Sequence, residues 1–303
     1  MKTTFFCLCM SPALDVSVTL PAWPADGVIF KDVAETENVG GKGINVARWL
    51  ALRGAEVSCG GLLGADNAAP FEQELARCGI GDAFLRVPGA TRRNEMIVTP
   101  GGSFKLNRPA FQGLKFEGLD VLENLERLDC PSRELRVAIL SGSLPPVVPK
   151  DFYAAATRTL KARGWTVVLD ASGEALRLGV EAGPDLIKPN ADECEPLVGF
   201  VPKTPDEFRR ATETLRAKAA HVIISDGGAG AWFDGTFTAA PHVKVLDTTS
   251  AGDTLLAEYC WRHFGGAPDA ARWAVAAGSA AVTMPGSVPP PIKLVEQLKE
   301  NIR

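Results

Sequence analysis

The 303-residue chain has no Cys-x-x-Cys pair and no excess of basic charge, and its three histidines show no metal-ligand spacing. Its seven cysteines, at 7, 9, 59, 78, 130, 194 and 260, are scattered and odd in number. Neither a disulfide framework nor a zinc site is therefore indicated. His221, His242 and His263 read as structural, and Cys7 and Cys9, alternating in one apolar segment, read as packing residues. A net charge of −4 gives no electrostatic reason to expect nucleic acid or an anionic membrane as partner. No segment approaches the roughly 18 unbroken apolar residues of a membrane span. The apolar run Phe5–Met10 is short and leads into Ser11-Pro12 without a small-x-small cleavage pattern, so it predicts a first buried strand rather than a signal peptide. A cytoplasmic protein is expected. Neither G-x-x-x-x-G-K-[ST] nor G-x-G-x-x-G occurs, so a phosphorylated ligand must be held by local basic residues.

What is present is an alternation of strand and helix signals over a composition that is 46% hydrophobic, enough for one large core or two smaller ones. Val137–Leu140, Thr166–Asp170, Asp185–Lys188 and His221–Ser225 are short, continuously apolar strands. Between the first two lies a helix over Asp151–Arg163 with Gly164 as its stop. This pattern predicts an α/β fold with a parallel sheet covered on both faces, whose ligands bind at the carboxyl ends of the strands. Ser141, Asp170, Lys188, Asn190 and Ser225 all fall at such ends. Residues 231–238 read as a hairpin turning at Asp234-Gly235. Alternating segments at Val16–Leu20, Asn94–Thr99 and Ser103–Asn107 predict a small accessory sheet, and segments 15–36 and 92–110 together form a lid on a single domain spanning 1–303. Pro289–Pro291 reads as a short surface connection before a last helix.

Five segments carry chemistry. In Asp247-Thr248-Thr249-Ser250-Ala251-Gly252-Asp253, small residues and a carboxylate open an apolar helix, whose first N–H groups form an anion site. A carboxylate repels a bound phosphate, unless a substrate hydroxyl lies between them and Asp253 takes its proton during phosphoryl transfer. Read alone, the segment is also a small-residue loop with a helix-start carboxylate. Gly40-Gly41-Lys42-Gly43-Ile44-Asn45-Val46-Ala47-Arg48 is a glycine-rich turn into a helix ending near Arg53, with Lys42 and Asn45 offering a cation and an amide. Arg92 and Arg93 place two guanidiniums together, suited to phosphate or simply solvated. In Lys188–Glu193, Asn190 and Glu193 form a capping-box pattern, compatible with organising Mg²⁺ and its waters. Ser225, Gly227 and Gly230 belong to a loop able to lie against a nucleotide.

Taken together, eight blocks in order resemble the ribokinase-like, phosphofructokinase-B family of sugar kinases: Ser11–Asp15, Gly40–Arg48, Gly61–Asp66, Thr91–Asn94, Ser141–Pro145, Ser172–Leu176, Lys188–Glu193 and Asp247–Asp253. The resemblance implies a mostly parallel sheet with helices on both faces and a small β-sheet lid. It implies Asp253 as base and the N–H groups of Ala251, Gly252 and Asp253, after Ser250, as the anion hole. ATP would lie by Lys188, Asn190, Ser225, Gly227 and Gly230, with Mg²⁺ held through water by Asn190 and Glu193. Asp15, Gly41, Lys42, Asn45, Arg92 and Ser143 would hold the sugar, with Arg93 or Lys31 as helpers. Within the family the blocks are most similar to the branch acting on phosphorylated ketohexoses, which points to fructose 1-phosphate becoming fructose 1,6-bisphosphate. Tagatose 6-phosphate, fructose 6-phosphate or an unphosphorylated sugar are alternative acceptors, and a non-catalytic sugar-phosphate sensor is a further one. A homodimer through the lid edge is compatible with exposed strands there. The chain departs from the family's pattern at Ser250, usually glycine, at Lys31, often arginine, and at Lys105, often glutamate.

Overall fold

The computed structural model describes residues 3–302 apart from 25, 27, 32, 118–119 and 129–134, so Cys130 and three positions of segment 15–36 lie outside the described residues. In chain order the first strands are β1 (Thr3–Cys9), β2 (Ala13–Thr19), β3 (Ala34–Gly40), β4 (Glu56–Gly64), β5 (Gly81–Val87), β6 (Arg93–Thr99) and β7 (Gly102–Leu106). They are followed by β8 (Leu135–Ser141), β9 (Thr166–Asp170), β10 (Leu186–Ile187), β11 (His221–Ser225), β12 (Gly230–Phe233) and β13 (Thr236–Ala239). The helices are α1 (Lys42–Leu52), α2 (Ala69–Cys78), α3 (Val121–Glu126), α4 (Phe152–Ala162) and α5 (Gly173–Val180). The others are α6 (Glu195–Val198), α7 (Pro205–Arg216), α8 (Ala251–Phe264), α9 (Ala270–Ala281) and α10 (Ile292–Glu300). Among the described residues no helix is long and apolar enough to cross a membrane.

Among the described residues the main sheet has nine strands in the order β13-β12-β11-β10-β9-β8-β1-β4-β5. Seven run parallel, and β12 and β13 add an antiparallel edge. β1 sits inside this sheet, and its alternation explains why the N-terminal run is continuously apolar. Phe5, Cys7 and Cys9 enter the core against α1, α8 and α9, whereas Phe6, Leu8 and Met10 enter the core against α4, α5 and α7. Burying each large side chain of this kind contributes about 1.5–3 kcal/mol. The hairpin closes as expected, with Asp234 and Gly235 both at positive φ (49° and 86°). Only Leu186 and Ile187, two of the four residues expected at 185–188, form the strand, and Asp185 N and Lys188 N flank it with bonds to Val167 O and Leu169 O of β9. Pro290 is buried, so the proline run before α10 is less of a surface connection than its composition suggests.

A second sheet, ordered β3-β2-β6-β7, stands apart from the first. Its registers place Asp15 between Asn38 and Asn94, and Met96 between Ser17 and Lys105. Successive side chains alternate between sheet faces, so these two rows share one face. β3 has no apolar alternation to announce it: Ala34–Asn38 are all exposed, and pairing with β2 defines the strand.

Candidate active site

Two cavities meet at the first turn of α8. One, of about 470 Å³, lies between the second sheet and the starts of α1 and α8, and includes Asp15, Lys42, Asn45, Arg92 and Asp253. The other, of about 510 Å³, has more apolar walls from α8, α9 and residues 240–245, and includes Asn190, Ser225, Gly227 and Gly230. Thr248 and Gly252 line both. The N–H groups of a first helical turn have no partner within their helix, so the shared wall is a set of donors facing two compartments. The preceding residue, Ser250, has φ 61° and ψ 0°, a left-handed conformation that turns the chain into α8 and that glycine adopts more easily.

Asp253 is 4% exposed, and Asn45 on α1 donates its side-chain N–H to Asp253 Oδ2 at 2.9 Å. Burial pushes the Asp253 carboxyl above its usual range; the nearby Lys42 and the Asn45 hydrogen bond act against this, while the Asp170 charge adds to it. One turn further along each helix, Glu258 accepts from Trp49 Nε1 (2.8 Å) and Arg262 Nε (2.7 Å) and pairs with Arg53 (3.2 Å). This buried carboxylate ties α1 to α8, and so holds Asn45 against Asp253. Arg48 adds a second brace by donating to Val39 O, Ser287 O and Asn45 Oδ1. With its oxygen facing Arg48, the Asn45 amide presents its N–H₂ to Asp253.

Beneath the turn, at the ends of the parallel strands, lies an ion cluster centred on the buried Asp170, with Lys188 buried and Lys42 exposed. Asp170, 1% exposed, pairs with Lys188 Nζ at 3.0 Å and Lys42 Nζ at 3.3 Å, and accepts from Ser141 Oγ at 3.2 Å. Burial alone would raise the Asp170 carboxyl, but Lys188 and Lys42 hold it below its usual range. A methyl group added at Gly252 would lie 3.6 Å from Lys188 Nζ, which puts that ammonium close under the first turn of α8. Gly41 needs its φ of 121° to start α1, and a Cβ there would meet Cys9 Sγ at 2.8 Å.

On the second-sheet wall, Asn94 donates to Asp15 Oδ1 at 2.9 Å, and burial raises the Asp15 carboxyl despite that bond. Arg92 donates to the carbonyls of Arg108 (3.1 Å) and Ser11 (3.3 Å). Arg93, its neighbour on the opposite face, pairs instead with Glu35 and Glu37. Lys31 and Ser143 are exposed and line neither cavity. On the other side, Asn190 and Glu193 form a reciprocal capping box: Asn190 N donates to Glu193 Oε2 (2.9 Å) and Glu193 N to Asn190 Oδ1 (2.8 Å). Among the described residues no group of three or more His, Cys, Asp or Glu side chains is placed to cage a metal. A Mg²⁺ ion that keeps most of its waters suits such a site, since Glu193 Oε1 is not used by the box.

Four contributors were not singled out as site residues from sequence. Asp170 was noted only as a strand-end residue, although a carboxylate one strand away from Lys188 at the same sheet end is a readable pairing. Asn94 and Asn38 flank Asp15 through strand register, which sequence does not display. Lys105 crosses from β7 to the α8 entry, where its ammonium donates to Thr249 Oγ1 at 2.9 Å.

A family model described as pfkB family carbohydrate kinase matches residues 19–293. The 1-phosphofructokinase of Rhodobacter capsulatus is 34% identical over 255 residues, covering 82% of this chain and 80% of that protein. The 1-phosphofructokinase of Vibrio cholerae is 32% identical over 289 residues, covering 91% and 89%. Phosphofructokinase-2 of Escherichia coli, in a crystal structure with potassium, superposes with a TM-score of 0.89 at 25% identity over 99% of both chains. The fold with its second sheet, and a family match spanning nearly the whole chain, lead to one conclusion: the chain belongs to the pfkB family of carbohydrate kinases, and is an ATP-dependent sugar kinase.

Proposed function

We propose that this kinase phosphorylates a ketohexose that already carries one phosphate, with fructose 1-phosphate as acceptor and fructose 1,6-bisphosphate as product. The observation that carries the reading is Asp253, a buried carboxylate at the turn that faces both cavities. The acceptor sugar occupies the second-sheet side, where Asp15, Asn45 and Gly41 meet its hydroxyls and Lys42 and Arg92 meet its charge. ATP occupies the glycine-lined side, against Ser225, Gly227, Gly230 and Asn190. Asp253 takes the proton of the attacking hydroxyl as its oxygen bonds to the γ-phosphorus. The bond between that phosphorus and the bridging oxygen breaks, and ADP leaves. The N–H groups of Ala251, Gly252 and Asp253, with Lys188 beneath them, hold the charge on the transferring group. Mg²⁺, held through water by Glu193 and Asn190, would neutralise triphosphate charge when bound.

The names of the relatives support fructose 1-phosphate over other acceptors. Exposed apolar side chains on and beside the second sheet, Ile29, Trp23 and Leu106 among them, support a homodimer through that sheet, which light scattering on the purified protein tests. The substrate reading is tested by coupled ADP release with fructose 1-phosphate, fructose 6-phosphate, tagatose 6-phosphate, fructose and ribose. Fructose 1-phosphate should show the highest kcat/KM. ADP formation that no sugar phosphate stimulates would sink the reading.

A further inference from the structure

We propose that Arg48 is a positioning residue for phosphoryl transfer: it fixes which end of the Asn45 amide faces Asp253, so that the carboxylate always meets a donor. The inference deepens the reading above and rests on Asp253 being the base. Its ground is the donor and acceptor inventory of the two side chains. A guanidinium carries N–H groups and no acceptor, whereas an amide can offer either its oxygen or its N–H₂. Arg48 Nη2 lies 3.4 Å from Asn45 Oδ1, and the amide oxygen is the only end that can accept from it. The N–H₂ is thereby left to Asp253 Oδ2, at 2.9 Å. A hydrogen bond donated to a carboxylate favours its ionised form, the form in which a base works.

Arg48 is in turn held from several sides. It is 6% exposed, donates from Nη1 to Ser287 O at 3.1 Å and from Nη2 to Val39 O, and its Nε lies 3.5 Å from Glu74 Oε1 on α2. A buried cation with those partners is not free to swing aside. Arg48 does not line the acceptor cavity, whereas Asn45 does, so its influence on the reaction passes through that amide. With Arg48 in place, a turned-over amide would set N–H₂ against N–H₂ and point an oxygen at the carboxylate. Without Arg48 the amide can turn over and accept from a protonated Asp253, which favours the neutral acid. The other charged groups facing Asp253 are Lys42 on α1, Asp170 at the end of β9 and Lys188 just after β10. Arg48 itself faces Glu74, Arg77 and Cys78 on α2 and Asp15 on β2.

The test compares the wild type with Arg48→Met and Arg48→Lys, using the sugar phosphate that gives the highest kcat/KM. The Asp253 carboxyl is also titrated directly, by NMR on carbon-labelled aspartate, with its signal assigned by its loss in Asp253→Asn. Arg48→Met should raise both the Asp253 pKa and the acid limb of kcat/KM by up to about one pH unit, the worth of one exchanged hydrogen bond. Arg48→Lys, which keeps a buried donor, should move them less. In an Asn45→Leu background, Arg48→Met should add no further rise. A merely structural brace would lower the plateau of kcat/KM and leave both titrations in place. That result overturns the proposal, as does an equal rise in the Asn45→Leu background. A raised Asp253 pKa that the acid limb does not follow upholds Arg48 and instead defeats Asp253 as the base. Neutron diffraction on wild-type crystals needs no variant to fold: the Asn45 deuterons should face Asp253, and deuterons facing Arg48 overturn the proposal.

Discussion

Asn45 and Asp253, separated by 208 positions in the chain, are joined by a 2.9 Å hydrogen bond from the amide of one to the carboxylate of the other. Asn45 holds Oδ2; in the proposed function Oδ1 is the oxygen that meets the hydroxyl. Two helix starts from opposite ends of the sequence are thereby made into one device.

If Asp253 is the base, Asp253→Asn should lower kcat by roughly 10²–10⁴, the usual range for losing a general base, with ATP affinity largely kept. The neutral variant should also be more stable. The carboxyl's pKa in the fold lies above its unfolded value, so its contribution is full below the unfolded pKa and is lost as pH rises through the folded value. At neutral pH the wild type therefore carries the cost of a buried charge. Asp253→Asn should raise Tm, by about 2–4 °C for each kcal/mol relieved. Full turnover in this variant would remove Asp253 from the mechanism.

The same shift governs the pH profile. The acid limb of kcat/KM should lie above the ordinary carboxylate range, because the base works only when ionised. Asn45→Leu removes a hydrogen bond that favours the ionised form, so its acid limb should move higher still. A limb that stays in place would separate Asn45 from the titration of Asp253.

Asp170 has the opposite sign. Its carboxyl is held below the unfolded value, so its stabilisation is present above the unfolded pKa and is lost as pH falls through the folded one. Asp170→Leu leaves Lys188, 4% exposed, without its carboxylate and should cost about 3–5 kcal/mol in urea denaturation. A loss under about 1 kcal/mol would place the pair with weak surface bridges.

Ser250 holds a left-handed backbone conformation that costs a non-glycine residue about 1–2 kcal/mol. Glycine gives back about 0.5–1 kcal/mol through unfolded-state entropy, so Ser250→Gly should stabilise by up to about 1 kcal/mol. Ser250→Val should destabilise, since a β-branched side chain resists that conformation more. Equal midpoints for all three proteins in urea would contradict this account.

The layers of the fold were legible because β1, β8 and β9 are apolar on both faces and alternate with helical segments, the pattern of a parallel sheet covered on both sides. β3 was not legible: Glu35, Thr36, Glu37 and Asn38 are all exposed, and the strand exists through its pairing with β2. The site was legible where a motif is local, as in the capping box of Asn190 and Glu193. It was hidden where register decides, as with Asn94 beside Asp15. Arg92 and Arg93 show the boundary between these cases. Strand alternation sends adjacent residues to opposite faces, but which of the two faces a cavity depends on what lies above the sheet.

Thr248 and Gly252 belong to both cavities. Whatever occupies one side has the other ligand as its immediate neighbour, with a single backbone turn between them. A compound that tethers a ketose phosphate to an adenosine polyphosphate would make its second engagement within one molecule. Its effective concentration would be set by the tether, in the millimolar range for a short flexible one, rather than by dilution in solution. If the two cavities hold acceptor and ATP as proposed, the thinness of that turn makes them a single target for one bridging inhibitor.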